Sequence, residues 1–228
     1  MGREPLALGL MVPSNNTTME PELLAWLPEG SSCRTLRISR GAGTLTPAEL
    51  PEYIERALVL AGDFVDEELD LIVYGCTAAG FMGGPARDAQ LAAELSKRAG
   101  RRVITTASAM SAVLEHIGAR RVAVITPYLD IVNERIRAYL GESGISVEIL
   151  STFNARTTDE LAAIQPRQIA QRARDVMQPG LDAMFIACSQ LPTRSIISGL
   201  EHELGIPVWS SIRATAWQAE RAMDLAVA

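Results

Sequence analysis

Apolar residues return along the chain in two rhythms. Short, largely β-branched runs appear at Leu6 to Val12, Thr35 to Ile38, Leu71 to Tyr74, Arg102 to Thr105, Val122 to Thr126, Val147 to Leu150, Ala183 to Ala187 and Val208 to Ser210. Between them lie longer stretches with apolar positions three or four apart, such as Val132, Ile136 and Leu140. Apolar runs that lack polar alternation suit strands covered on both faces, and their alternation with helical spacing marks βαβ units around a parallel sheet. Eight strands in two sets of four are therefore predicted. Thr46-Pro47-Ala48-Glu49 reads as a capping box with proline at the first helical position, opening a helix whose inner face carries Ile54, Ala57 and Leu58. Gly141 is placed to end a helix running from about Ile131 to Leu140. Gly83-Gly84-Pro85 matches no nucleotide-binding glycine spacing and reads as a turn before a helix that starts near Ala86.

The two sets of strands are copies of one another. Leu69-Asp70-Leu71-Ile72-Val73-Tyr74-Gly75-Cys76-Thr77 parallels Leu181-Asp182-Ala183-Met184-Phe185-Ile186-Ala187-Cys188-Ser189, an offset of 112 (188 − 76). Leu8 to Pro13 parallels Val122 to Pro127 at an offset of 114 (127 − 13). Near-equal offsets over separate segments indicate a duplication. The expected fold is α/β, with two pseudo-symmetric lobes that are each a four-stranded parallel sheet flanked by helices, and an active site at the lobe interface. The lobes are expected at residues 1–112 and 113–213, with a boundary inside Ser108 to Gly118 and no Gly/Ser-rich linker. Residues 214–228 read as a helix without a following strand, expected to cross back to the first lobe.

In open parallel sheets, ligands bind beyond the carboxyl ends of the strands, where loops diverge and unpaired N–H groups point outward. Cys76 and Cys188 both stand at such ends. A lone cysteine closing an apolar strand is ordinarily an inert small hydrophobe. Two at matching positions of a repeat, each followed by a hydroxyl residue, point to paired chemistry, with helix-terminus placement expected to lower the thiol pKa. Cys33 stands outside the repeat and reads as incidental. The loops after the first strand of each set, Pro13 to Glu20 and Thr126 to Asp130, are rich in groups that hold carboxylates. For Asn16, helix capping is the competing reading, and for Tyr128 it is simple loop packing.

Composition narrows the function. The chain has 228 residues, is 48% hydrophobic and carries a formal charge of −6, which suits a globular protein and offers no basic footprint for nucleic acid or anionic membranes. No apolar run is long enough to span a bilayer, and the opening residues lack a signal-peptide pattern. Three cysteines do not suggest a secreted disulfide framework in a chain of this length, so a reducing cytoplasm is expected. The two histidines, His116 and His202, lie in surface-like stretches, so no metal site is expected.

Val12-Pro13-Ser14-Asn15-Asn16-Thr17-Thr18-Met19-Glu20, Tyr74-Gly75-Cys76-Thr77, Arg121 to Tyr128 and Ala187-Cys188-Ser189 together resemble the aspartate/glutamate racemase superfamily, and within it the branch of maleate cis–trans isomerases and arylmalonate decarboxylases, with maleate isomerase the nearest pattern. The resemblance runs from about Leu8 to Ala222. It implies a cofactor-independent enzyme, a homo-oligomer acting on a small carboxylate between two lobes. By position, Cys76 matches the nucleophile that adds to an alkene carbon and Cys188 the residue that handles the proton. Asn16, Thr77, Ala78, Tyr128 and Ser189 match positions that hold the carboxylates through side chains or backbone N–H groups. Both cysteines favour isomerisation, or racemisation of an amino acid or related α-substituted acid by two opposed bases; decarboxylases of the branch keep only the second, which ranks decarboxylation of a disubstituted malonate, with Cys188 as proton donor, as a further alternative below these two. A carboxylate-binding protein without activity is the alternative from another class. One departure stands out: Thr157-Thr158 occupies the place where maleate isomerases carry Asp-Asn, with Asn154 nearby as a substitute. Arg213, after the last strand, is read either as a further charge for an acidic substrate or as half of a surface ion pair.

Overall fold

The computed structural model describes residues 4–41 and 43–224; residues 225–228, the end of the expected C-terminal helix, and residues 1–3, part of the opening segment, lie outside the described residues. The first half runs β1 (Ala7–Pro13), α1 (Met19–Trp26), β2 (Ser32–Ile38), α2 (Leu50–Leu60), β3 (Leu71–Tyr74), α3 (Thr77–Phe81), α4 (Pro85–Ala99), β4 (Val103–Thr105) and α5 (Thr106–His116). The second runs β5 (Arg121–Thr126), α6 (Asp130–Glu142), β6 (Ser146–Thr152), α7 (Thr158–Ala162), α8 (Pro166–Asp175), β7 (Ala183–Ile186), α9 (Ile197–Leu204), β8 (Val208–Ser210) and α10 (Ser211–Asp224). Two four-stranded sheets result, ordered β2-β1-β3-β4 and β6-β5-β7-β8, with every pair parallel.

The duplication extends to individual hydrogen bonds. Asp70, just before β3, accepts from the Ala7 amide at 2.7 Å, and Asp182, just before β7, accepts from the Arg121 amide at 2.7 Å. At the other end the Gly75 amide donates to Met11 and the Ala187 amide to Ile125, at 2.7 and 2.8 Å. Each pair pins a central strand at both ends and so fixes where the following cysteine falls.

β3 and β7 are wholly buried, as an unbroken apolar run demands, because helices cover both faces. The edge strands β2 and β6 reach beyond their apolar runs, since half their positions face outward and carry polar side chains. Two helix ends also differ from the pattern. α2 starts at Leu50, with Pro51 in its first turn, while Thr46 and Glu49 close a preceding turn in which the Thr46 amide and hydroxyl donate to Glu49 Oε2 at 3.0 and 2.9 Å. Gly141 stays inside α6; the chain departs at Gly144, whose φ of 70° is open to glycine at little cost. Gly84, at φ 83°, leads into α4 as the turn reading requires.

One continuous apolar core joins both lobes, from Met11 and Ile72 to Val124 and Phe185. A second cluster lies on the other face of the first sheet, where Ile212, Ala216, Ala219 and Ala222 of α10 meet Leu8, Leu10, Leu23 and Val73. α10 thus leaves the second sheet and packs on the first, and its alanines let it approach closely. Residues such as Leu8, Leu23 and Ile212 are fully buried, each worth roughly 1.5–3 kcal/mol relative to exposure. On the outer seam, Glu22 of α1 accepts from the amides of Thr193 and Arg194 at 2.9 and 3.1 Å. Beside it Arg194 lies over Trp26 at 4.1 Å, and Arg213 lies over Trp26 at 5.3 Å and over Trp209 at 4.2 Å. Trp209 meets Trp217 edge-on at 6.4 Å, which places all three tryptophans of the chain in one stack. Among the described residues no helix is long and apolar enough to cross a membrane.

Candidate active site

In each sheet the strand order turns back beside the first strand, between β1 and β3 and between β5 and β7, and loops leaving such a point in opposite directions open a crevice. The two crevices face one another and merge into a cavity of about 30 Å³. Asn16, Cys76, Thr77 and Ala78 border it from the first lobe, and Tyr128, Cys188 and Ser189 from the second. All seven candidate residues therefore meet in one place.

Cys76 follows Gly75, where no larger residue fits: a Cβ would stand 2.6 Å from Met19 Sδ and 2.9 Å from the Met11 carbonyl. That tight passage delivers Cys76 in extended conformation to the start of α3. The amides of Ala79 and Ala78 donate to its sulfur, the Tyr53 hydroxyl lies beside it, and the Arg40 guanidinium is close enough to favour the thiolate. Burial nevertheless outweighs these groups and pushes the thiol above its ordinary value. The lowering expected from helix-terminus placement is thus reversed in sign, because only 5% of Cys76 is exposed.

Cys188 is built differently. Its φ of 147° lies in the left-handed half of the map, a conformation costing on the order of 1–3 kcal/mol for a residue with a side chain. Its amide donates to Ser211 Oγ at 3.0 Å, and the Gln190 amide donates to its sulfur at 3.4 Å. Burial pushes this thiol up to about 11, opposed by the Gln190 amide and the Tyr128 hydroxyl and reinforced by repulsion from Cys76. The two sulfurs thus sense each other across the cavity.

Tyr128 is held from both lobes. Asn133 Nδ2 and Thr152 Oγ1 donate to its carbonyl, and its ring stands edge-on to Phe81 of α3 with centroids 5.6 Å apart. Its hydroxyl faces Cys188 and Thr77, and burial, followed by the two thiols, raises its pKa well above the phenolic range, so it acts as a donor. Asn16 joins both readings offered for it: its Oδ1 accepts from the Thr18 and Met19 amides at 3.0 Å each, capping α1, while Nδ2 donates to Ser189 Oγ at 3.1 Å. The Ser189 hydroxyl in turn donates to the Gly75 carbonyl at 2.6 Å. It ties the second lobe to the residue before Cys76, so its proton is already committed within the protein.

Around the cavity, Thr77 Oγ1, Gln190 Oε1, Asn15 Oδ1 and the Tyr53 hydroxyl are buried without a hydrogen-bond partner. Buried polar atoms are normally paired. Three of these orphans, on Thr77, Gln190 and Asn15, border the cavity beside an apolar wall of Pro13, Leu45 and Leu161 and mark a place built for a small polar ligand.

Arg40, Tyr53, Leu45 and Leu161 are members of this environment that sequence patterns did not single out. The signal for Arg40 was its place just after β2, since the strand-end argument applies to that strand too. The remaining singled-out residues lie elsewhere. Thr157 caps α7 by accepting from the Glu160 amide at 3.1 Å, and neither it nor Thr158 borders the cavity; α7 contributes Leu161 instead. Asn154 is exposed at φ 55° and does not substitute for them. Arg213 pairs with Glu201 at 2.7 Å outside the cavity. His202 is exposed, and His116 stacks on Trp217. Cys33 is half-buried under the first sheet, its thiol pushed to about 12 by burial and then by Glu20.

Paired lobes closing on two buried thiols, with amide and hydroxyl donors converging between them, define an enzyme that works through cysteine side chains. The chain belongs to the arylmalonate decarboxylase family, whose model matches residues 8–228. It is 30% identical to a maleate isomerase of Nocardia farcinica over 97% of this chain and 91% of that protein, and 28% identical to one of Geobacillus stearothermophilus over 96% and 92%. Its fold superimposes with a TM-score of 0.89, at 26% identity and over 97% of this chain and 94% of the other, on a Nocardia farcinica maleate cis-trans isomerase mutant with a covalently bound succinylcysteine intermediate.

Proposed function

We propose that this enzyme is a cofactor-independent cis–trans isomerase of a small unsaturated dicarboxylate of the maleate type. The Cys76 thiolate adds to one alkene carbon, and the electron pair released from the double bond moves onto the neighbouring carbon and its carboxylate as enolate-like charge. Cys188 delivers its proton to that carbon, giving a succinyl thioether. Rotation about the new single bond follows. The Cys188 thiolate then recovers a proton from the same carbon, the C–S bond breaks with its electron pair returning to sulfur, and the trans alkene leaves with the Cys76 thiolate and the Cys188 thiol restored. Asn16, Thr77, the Ala78 amide and Tyr128 act as carboxylate donors and stabilise the enolate-like charge in a nearly dry site. The Ser189 hydroxyl, bonded to Gly75, serves mainly to position Cys76.

The observation that carries this reading is the inequality of the two thiols: each has a phenol and the Arg40 guanidinium in reach, but Cys76 receives two amides at the start of α3, whereas Cys188 receives one amide and stands on backbone at φ 147°. Unequal surroundings favour separate nucleophile and proton-transfer roles over two interchangeable bases in a racemase. Free thiols at all three cysteines suit a reducing compartment, and a homo-oligomer belongs to the same reading. Incubation with maleate, followed by proton NMR, should show fumarate, and Cys188→Ser should accumulate a succinyl adduct on Cys76 by mass spectrometry. The absence of both fumarate and adduct would overturn it.

A further inference from the structure

Every described residue bordering the cavity is uncharged except the two thiols, which titrate, and Arg40. Arg40 follows β2 on a strap that crosses between the lobes. Gly43 of that strap forms an antiparallel bridge with Thr157, and the Thr44 amide reaches the Arg156 carbonyl at 3.4 Å. Arg40 is half-buried as a residue, and its guanidinium donates to the Gly43 carbonyl at 2.6 Å. Among the described residues no carboxylate stands within ion-pair distance of it. A partly desolvated cation without a counter-ion, at the edge of a cavity with orphaned polar atoms, is a site prepared for an anion.

We propose that Arg40 is the specificity-determining residue of the site, binding the second carboxylate of the substrate and so restricting turnover to dianions. This rests on reading the cavity as a carboxylate site. The division of labour follows from chemistry. Neutral donors around the thiols, chiefly Asn16 Nδ2 and the Tyr128 hydroxyl, hold the carboxylate that takes up enolate charge, where a fixed cation would bind ground state and transition state alike. The distal carboxylate changes little during reaction and is the proper partner for a permanent charge. Arg40 offers a planar fork that a carboxylate matches with two parallel bonds. Because its strap is bonded to the second lobe, an anion held there also fastens the strap across the cavity.

The test compares alkylation of the cavity thiols by iodoacetate and by iodoacetamide, which differ in charge and little in size, in the intact protein and in Arg40→Gln. The ratio of the iodoacetate rate to the iodoacetamide rate is expected to fall about 10- to 100-fold in Arg40→Gln, the range of one charge-assisted hydrogen bond, and Arg40→Lys should recover part of it. Equal slowing with both reagents would mean that Arg40 only tunes the thiols, and no change with either would mean that it does not face the anion; both outcomes overturn the proposal. The iodoacetamide rate also reports whether the variant site is intact. With substrate, KM for maleate should rise in Arg40→Gln while KM for its half-amide stays near its original value. A changed alkylation ratio without maleate turnover in the original protein defeats the isomerase reading alone; maleate turnover with an unchanged ratio defeats this one alone.

Discussion

The two lobes carry the same strand order, the same aspartate pins and the same cysteine, yet they present that cysteine in different ways. In the first lobe the chain passes through Gly75 in extended conformation and turns at once into α3, so that two amides converge on sulfur. In the second, Ala187 leads to a residue at φ 147°, and the chain continues through turns before α9 begins. Duplication therefore supplied a symmetric frame, and divergence in three or four residues after each strand gives the two thiols the unequal surroundings on which their proposed roles rest. A thiol flanked by two amides is suited to bearing charge. One with a single amide and a strained backbone is suited to handing over a proton.

The largest test of this asymmetry is to remove each sulfur in turn. Cys76→Ala should lower kcat for maleate by roughly 10⁴- to 10⁶-fold, as loss of a nucleophile does, and abolish the adduct. Cys188→Ala should cost about 10²- to 10⁴-fold, the range of general acid–base catalysis, while Cys76 still forms its adduct. Equal losses, with no adduct in either variant, would erase the distinction. A second test uses pH. Burial raises both thiols, so iodoacetamide alkylation should climb about tenfold per pH unit from neutrality upward, continuing at Cys188 toward about 11, as resolved by peptide mass spectrometry. The same shift has a stability consequence with a definite sign. A group whose folded pKa exceeds its unfolded one contributes fully below the unfolded value, and that contribution is lost as pH rises through the folded one. Urea midpoints should therefore decline between about 9 and about 11, and Cys188→Ala should flatten the decline. The smallest effect concerns the residue before each cysteine. Gly75→Ala should cost about 1–3 kcal/mol in urea unfolding, because its methyl meets the Met11 carbonyl, whereas the opposite exchange, Ala187→Gly, should cost about 0.5–1 kcal/mol.

What could be read from the chain follows the same division between frame and detail. The runs at Leu71 to Tyr74 and Val208 to Ser210 match their strands to the residue, and for the first of them complete burial leaves no outward position to blur the ends. β2 and β6 were underestimated because edge strands spend half their positions on solvent. Thr46 carries a helix-start signature, but Pro51 four positions after Pro47 takes the first turn and moves the start to Leu50. The repeat and the strand-end argument pointed to the two cysteines, and the family resemblance added Asn16, Thr77, Ala78, Tyr128 and Ser189; all seven border the cavity. These signals were not enough to find Arg40, which no periodicity marks, nor to foresee that Ser189 would spend its hydroxyl on Gly75. The direction of the Cys76 shift was equally hidden. Local sequence reveals the helix terminus that favours a thiolate, whereas the burial that disfavours it comes from residues distant along the chain.

The seam on the far side of the molecule gives this enzyme an optical gauge. With Trp26 on α1, Trp209 on β8 and Trp217 on α10, every indole in the chain sits where the lobes meet outside the cavity, each beneath a guanidinium. Ultraviolet emission from the unlabelled protein consequently carries no signal from the thiols themselves and a concentrated one from the joint between the lobes. A shift in wavelength or intensity on adding a carboxylate would register rocking of one lobe against the other in real time, separately from the chemistry at sulfur.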